Sequence, residues 1–117
     1  MNLDILLPQL LQYSILFKVY HWQTKSYARH KASDELYSNV NEFMDELVEY
    51  YQGLHPTITV NEQCLSIYNI TDKEARHVLI HFSELIESIS IHDKGIINKR
   101  DELIGLIHQT LFLFKLK

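Results

Sequence analysis

The chain has 117 residues, of which 46% are hydrophobic and 22% are charged, and its formal net charge is −4. This length and content suit one domain over residues 1–117 with a hydrophobic core, small enough that oligomerisation would add to its stability. The negative charge argues against a general polyanion binder. Three glycines and two prolines supply too few turns for an all-β fold.

The compartment is predicted from what the sequence does not contain. A single cysteine, Cys64, cannot build a disulfide framework, so the chain fits a reducing cytosol, and we expect this thiol to pack as a small apolar residue. No apolar run approaches the roughly 20 residues of a membrane span, so no membrane association is predicted. Asn2 and Asp4 stand where a secretory signal carries basic residues. We therefore expect a cytoplasmic protein.

The first predicted helix runs from about Leu3 to Lys25 and is apolar on two sides. One stripe consists of Leu6, Leu10, Tyr13, Phe17 and Tyr20, and the other of Leu7, Leu11, Ile15 and Trp22. Because both stripes need to be covered, the pattern predicts a partner chain. His21 lies at the margin of the first stripe, where a histidine is a structural residue unless other ligands accompany it.

The second helix is predicted from about His30 to Gln52, after a turn at residues 26–29 and before Gly53, a good residue to end a helix. Its core stripe is Leu36, Val40, Phe43, Leu47 and Tyr51. Along one edge of that stripe lie side chains of the types that bind metals: His30, Asp34, Asn41, Asp45 and Glu49. The alternative for the acidic part is a solvated face carrying Glu42, Asp45, Glu46 and Glu49.

Two pairs on this edge, His30 with Asp34 and Asp45 with Glu49, have the i,i+4 spacing that can clamp a cation. The two aspartates are eleven residues apart, which is roughly 16 Å along a helix, so one metal cannot touch both pairs. An antiparallel copy of the helix in a second chain would place one pair opposite the other, and two-fold symmetry would create two equivalent sites. Carboxylates and imidazoles without thiolates suit iron, manganese or zinc.

The second half of the chain completes a predicted all-α, four-helix bundle. Residues 54–70 are non-periodic and long enough to cross the length of a bundle. A capping box at residues 71–74 predicts a third helix from Asp72 to about His92. Residues 93–95 are expected to break the chain before a fourth helix, capped by Asn98 with Asp101 and reaching Lys117. On the third helix, a polar stripe is interpreted as solvated: Glu74, His77, His81, Glu84 and Ser88.

The order His-Trp, Lys, His-x3-Asp, ten residues, Asp-x3-Glu over residues 21–49 resembles the ferroxidase signature of Dps, the mini-ferritins of the ferritin-like group. The resemblance covers about a quarter of the chain. It implies a ferritin-like bundle with a long crossover between its second and third helices. It also implies an iron site shared between two subunits, with ligands from residues His21, His30, Asp34 and, in the neighbouring chain, Asp45 and Glu49.

The same resemblance implies a function. It suggests iron(II) oxidation with peroxide as the preferred oxidant, iron sequestration, and Trp22 as a one-electron sink beside the site. It further implies a homo-oligomer, at least a two-fold dimer, with a dodecameric shell as the larger alternative. The sequence departs from the family in a shorter turn between the two histidines and in Ser26, which stands where the family has glycine.

The sequence also has a second family resemblance and allows two rival functions. Residues 21–28 and 101–111 also resemble small ferritin-like proteins of bacteriophages and large DNA viruses, which would place the chain in a host cytoplasm. The rival function is a structural or adaptor protein that kept the fold without the oxidation chemistry. A nucleic-acid-binding module is disfavoured by charge, since only Lys115 and Lys117 mark the end of the chain and no basic tail is present.

Overall fold

The computed structural model describes residues 3–90 and 93–116, and this part of the chain folds into four helices and no strands. The helices are α1 (Leu3–Gln23), α2 (Tyr27–Leu54), α3 (Asp72–Glu87) and α4 (Lys94–Leu113). The prediction of an all-α fold with four helices is therefore confirmed. None of the helices in these ranges is both long and apolar enough to cross a membrane.

The four helices pack side by side, with α1 along α2, α2 along α4, and α4 along α3. The ring of Phe82 on α3 closes the bundle onto α1, with its centroid 5.1 Å from those of Tyr13 and Phe17. Residues 55–71, which we call the crossover, connect α2 to α3 and run along α1. The backbone amide of Thr59 donates a hydrogen bond to Asp4 near the start of α1 (3.1 Å). Near its end, Gln23 Nε2 donates to the side-chain oxygen of Asn69 (2.6 Å), so the segment spans the bundle.

The predicted core stripe of α2 faces the interior, and so do apolar side chains of α3 and α4. Their fully enclosed side chains include Leu36, Val40, Leu47, Leu79, Phe82, Ile86 and Ile107. Burying each large apolar side chain stabilises the fold by about 1.5–3 kcal/mol. On α1 the first stripe is covered, whereas Leu11 and Trp22 of the second remain exposed in a single chain. The second stripe of α1 is thus only partly covered, since Leu7 is buried and Ile15 is half-buried.

The predicted start of the fourth helix is wrong, because α4 begins at Lys94 and not near Asn98. Asp93 caps it: its Oδ1 accepts a hydrogen bond from the backbone amide of Ile96 at 3.1 Å. A Cβ at Gly95 would lie only 3.0 Å from that carboxylate oxygen, so the glycine leaves room for the cap and does not break the chain. The earlier start adds Ile96 to the core.

Other predicted boundaries shift by a few residues. The second helix begins at Tyr27 and not at His30, because Ser26 is its N-cap and its hydroxyl accepts from the amide of Arg29 (3.2 Å). The third helix ends at Glu87, short of His92, which lies outside the described residues. The prediction that Cys64 packs inside is also wrong: it lies on the crossover, which covers the surface of the bundle, and it is exposed.

A cluster that we call the clasp joins one end of all four helices through Tyr20, Thr24, Arg29, Asp72 and Phe114. The guanidinium of Arg29 donates three hydrogen bonds, to the Tyr20 hydroxyl (2.9 Å), the Asp72 carbonyl (2.7 Å) and the Phe114 carbonyl (3.0 Å). The hydroxyls of Tyr20 and Thr24 both donate to the Asp72 carboxylate, at 2.7 and 2.8 Å. The Arg29 guanidinium also lies over the Phe114 ring, 4.9 Å from its centroid.

The clasp shifts the pKa values of two of its members in opposite directions. Burial raises the pKa of the Tyr20 hydroxyl, against the lowering effect of Arg29. For Asp72, burial alone would raise the pKa, but hydrogen bonds from Tyr20 and Thr24 and the charge of Arg29 hold it below the ordinary value of 3.8. Both shifts favour the state in which the carboxylate is charged and the phenol is neutral.

These shifts predict how the clasp responds to pH. A carboxylate whose pKa is lowered by folding stabilises the fold above its unfolded value of 3.8, and the contribution is lost as pH falls through the lower folded value. The free energy of unfolding of the wild type should therefore exceed that of Asp72→Asn at about pH 7, and the difference should shrink towards about pH 3. Urea unfolding of the two proteins at both pH values measures this. A difference that grows in acid would contradict the assignment.

Candidate metal half-site

Two histidines meet where α1 ends and α2 begins. The imidazole rings of His21 and His30 stack with centroids 3.9 Å apart and planes inclined by 16°. Each Nδ1 is hydrogen-bonded to the backbone carbonyl of the other residue, at 2.7 Å from His21 to His30 and 2.8 Å in the reverse direction. Because each histidine serves as donor and its own carbonyl as acceptor, the contact is reciprocal. It fixes both rings relative to both helices.

The reciprocal contact also fixes where the protons are. A backbone carbonyl can only accept a hydrogen bond, so Nδ1 of each ring must carry a proton. In the neutral imidazole the other nitrogen, Nε2, then has a free lone pair and can bind a metal. A histidine ligand held by a carbonyl through its second nitrogen is the usual arrangement around protein-bound metals. The two histidines thus offer two oriented nitrogen atoms that can bind a metal.

Asp34 lies one helical turn after His30 and completes a group that we call the half-site: His21, His30 and Asp34. Its Oδ1 is 3.8 Å from Nε2 of His21. His21 is buried, whereas the Asp34 side chain is 53% exposed. His21 is therefore held inside the protein, His30 is half-buried, and the carboxylate of Asp34 faces the surface.

Sequence reasoning missed a lysine at the half-site. The ammonium of Lys18 lies 3.8 Å from the same Oδ1 of Asp34. It also lies over two aromatic rings, 5.7 Å from the centroid of Trp22 and 4.8 Å from that of Tyr37. The available signal was the spacing, since Lys18 precedes His21 by three residues and so lies on the same side of α1. Trp22, which is 67% exposed, is connected to the half-site through this lysine.

The acidic pair Asp45 and Glu49 lies further along α2, and both residues are exposed. The structure does not bring them to the histidines of the same chain. Within residues 3–90 and 93–116, no group of three or more His, Cys, Asp or Glu side chains is close enough to hold a metal ion on its own. One chain therefore presents the predicted ligands as two separate sets.

Two other sequence-based interpretations can be placed in the structure. Asn41, on the same edge of α2, accepts a hydrogen bond from the hydroxyl of Ser14 on α1 (3.1 Å), so it links the two helices. The polar stripe of α3 is exposed as predicted, which confirms that Glu74 and His77 face solvent. These observations leave the half-site and the acidic pair as the candidate functional residues.

The comparisons with known proteins identify a family. Residues 21–114 match the family described as "Family of unknown function (DUF5856)", and this range contains every candidate ligand and Trp22. No curated protein and no solved structure matches the chain. Because the match extends from the first histidine of the half-site to the end of α4, over more than half of the sequence, the chain belongs to the DUF5856 family.

Proposed function

We propose that this protein is a ferritin-like iron-binding protein that oxidises iron(II) at a site shared between two copies of the chain. One copy supplies the half-site, His21, His30 and Asp34, and its two-fold partner supplies the equivalents of Asp45 and Glu49. Trp22 lies beside the shared site. The same arrangement can hold manganese or zinc, which prefer similar ligands.

The observation that supports this proposal best is the reciprocal contact of the two histidines. A pair of stacked imidazoles buried only for structural reasons could hydrogen-bond through any of its four nitrogens. Here both rings use Nδ1, and both keep Nε2 for another partner. A carboxylate 3.8 Å from one of these nitrogens adds an oxygen ligand. This mixed nitrogen and oxygen set suits iron(II).

The proposed partner is a second copy of the chain because Asp45 and Glu49 lie too far along α2 to reach the half-site of their own chain. Asp34 and Asp45 are separated by roughly 16 Å along α2, so an antiparallel second α2 would bring each acidic pair to the other chain's half-site. The exposed part of the second stripe of α1 supports this arrangement. Leu11 and Trp22 are exposed there, at 38% and 67%, and contact with another chain would cover them.

The proposed reaction needs peroxide as co-reactant. Two iron(II) ions each lose one electron to one hydrogen peroxide, the O–O bond breaks, and two protons are taken up to give two waters. Iron is the substrate, and the chain's ligands hold it within reach of the oxidant. When only one iron is present, Trp22 can supply the second electron. Lys18 links the indole to Asp34, because its ammonium lies 5.7 Å from the Trp22 ring centroid and 3.8 Å from Asp34 Oδ1.

Anaerobic loading followed by peroxide tests this function. We expect the full-length protein to bind iron(II) and to form iron(III) rapidly when peroxide is added, with one peroxide consumed for every two irons. His30→Ala removes one fixed nitrogen and should abolish the fast phase. His108→Ala, an exposed histidine of α4, is the matched control and should behave as wild type.

Two outcomes would contradict the proposal. Oxidation at the parental rate by His30→Ala would show that the chemistry takes place elsewhere. Binding of zinc or manganese at the histidines without any iron oxidation would instead favour a structural or adaptor protein whose metal serves the fold.

A further inference from the structure

The clasp and the half-site occupy consecutive residues on both helices that they join. Tyr20 precedes His21 on α1, and Arg29 precedes His30 on α2. Tyr20 is linked to Arg29 by the hydrogen bond from the guanidinium to the tyrosine hydroxyl (2.9 Å), and His21 is linked to His30 by the reciprocal histidine contact. Two layers of contacts, one residue apart, therefore join the same two helix ends.

Consecutive residues of a helix are rigidly related, by about 100° of rotation and about 1.5 Å of rise. A contact that fixes Tyr20 relative to Arg29 therefore also fixes the rotation and separation of the helices at His21 and His30. The histidine contact needs this precision, because hydrogen bonds weaken steeply when their geometry departs from the preferred range. At 2.7 and 2.8 Å, both histidine bonds are within that range.

The clasp brings the other two helices into this arrangement. Asp72 is the first residue of α3, and its carboxylate accepts a hydrogen bond from the Tyr20 hydroxyl, while the carbonyl of Phe114, just after α4, accepts one from Arg29. Tyr20 is buried and packs edge-on against the Phe114 ring, with centroids 5.7 Å apart. The positions of α3 and α4 are thus transmitted to the helix ends that carry the histidines.

We propose that the Tyr20 hydroxyl is a positioning group for the metal half-site, so that docking of α3 and α4 tunes metal affinity. This inference rests on the proposed function. Tyr20 has no contact with Asp34 or with Nε2 of either histidine among the hydrogen bonds of the described residues, so it acts through the helix ends. Removing this hydroxyl should therefore disturb the geometry of His21 and His30 while the four-helix fold stays intact.

Tyr20→Phe is the informative substitution because it deletes only the hydroxyl. The ring keeps its packing against Phe114, Arg29 keeps its two carbonyl acceptors, and Asp72 keeps the hydroxyl of Thr24. Tyr13→Phe is the matched control. It lies on the same stripe of α1, two turns away, and none of the described hydrogen bonds uses its hydroxyl.

Two readouts on the full chain separate positioning from general stability. Cobalt(II) titrated into the protein reports affinity and ligand geometry through its visible absorption bands. In the metal-free protein, nitrogen-15 NMR follows the Nδ1 protons of His21 and His30 and their exchange with water. We expect Tyr20→Phe to bind cobalt about 3- to 10-fold more weakly and to exchange these protons faster, while Tyr13→Phe matches the wild type.

The outcomes distinguish this inference from the proposed function. If Tyr20→Phe equals the wild type in affinity and imidazole exchange, or if both tyrosine variants lose affinity equally, the positioning role is overturned. If wild type and His30→Ala bind cobalt equally, the proposed metal function fails. The metal-free exchange measurement then decides the positioning role by itself, because it needs no metal.

Discussion

Asp34→Ala and Asp45→Ala are each expected to abolish fast iron(II) oxidation, by on the order of 100-fold or more, while leaving the helical content nearly unchanged. Each substitution removes a carboxylate ligand from the proposed shared site. Both side chains are exposed at the edge of the core stripe, so neither fills the interior of the bundle. Stopped-flow absorbance after peroxide addition measures the rate, and circular dichroism measures the helices.

The controls for this prediction lie on α3. Glu74→Ala removes a carboxylate and His77→Ala an imidazole, both from exposed positions with Glu-x2-His spacing. They should oxidise iron at the parental rate. A large loss in either variant would move the reactive site to α3, and a parental rate in Asp34→Ala or Asp45→Ala would be incompatible with a shared site.

Arg29→Met should lower the free energy of unfolding by about 2–4 kcal/mol. The substitution keeps an unbranched side chain but removes the donors to the Tyr20 hydroxyl and to the carbonyls of Asp72 and Phe114. It also removes the charge over the Phe114 ring. These partners lie on α1, at the start of α3 and just after α4, and Arg29 itself lies on α2, so the substitution should loosen the whole end of the bundle. Urea unfolding monitored by circular dichroism measures the change.

Arg29→Lys is the matched control for charge. Lysine keeps the positive charge but lacks the planar set of donors that reaches three acceptors at once, so it should restore only part of the stability. A similar loss in Arg29→Lys and Arg29→Met would assign the effect to the hydrogen-bond geometry. A change below about 0.5 kcal/mol in Arg29→Met, the level of an ordinary surface substitution, would show that the clasp does not stabilise the fold.

The helices could be predicted because apolar periodicity reports burial directly. Leu36, Val40, Phe43 and Leu47 of the predicted α2 stripe are buried, as their spacing indicates. The start of α4 could not be predicted in the same way, because Asp93 and Gly95 are residues of turns as well as of helix caps. Which role they take depends on the hydrogen bond from Ile96 to Asp93 and on the space at Gly95.

The candidate site likewise contains residues that the pattern of one helix predicts and residues that depend on contacts between helices. The i,i+4 pairs on α2 follow from helical geometry alone, so their members could be named from the sequence. The contact between His21 and His30 depends on the distance between two helices and on the rotamers of both rings, which no pattern within one helix contains. Lys18 and Arg29 were missed for this reason. Lys18 of α1 pairs with Asp34 of α2, and Arg29 of α2 donates to Tyr20 of α1.

Mixing two inactive variants tests the shared site most directly. Asp34→Ala and Asp45→Ala chains are unfolded and refolded together, and mass spectrometry confirms that mixed dimers form. In a mixed dimer both substitutions fall on one site, and the other site is intact. With random pairing, about a quarter of all sites should be whole, and about a quarter of the wild-type oxidation rate should return. Activity that stays at the level of the separate variants would contradict a site built from two chains.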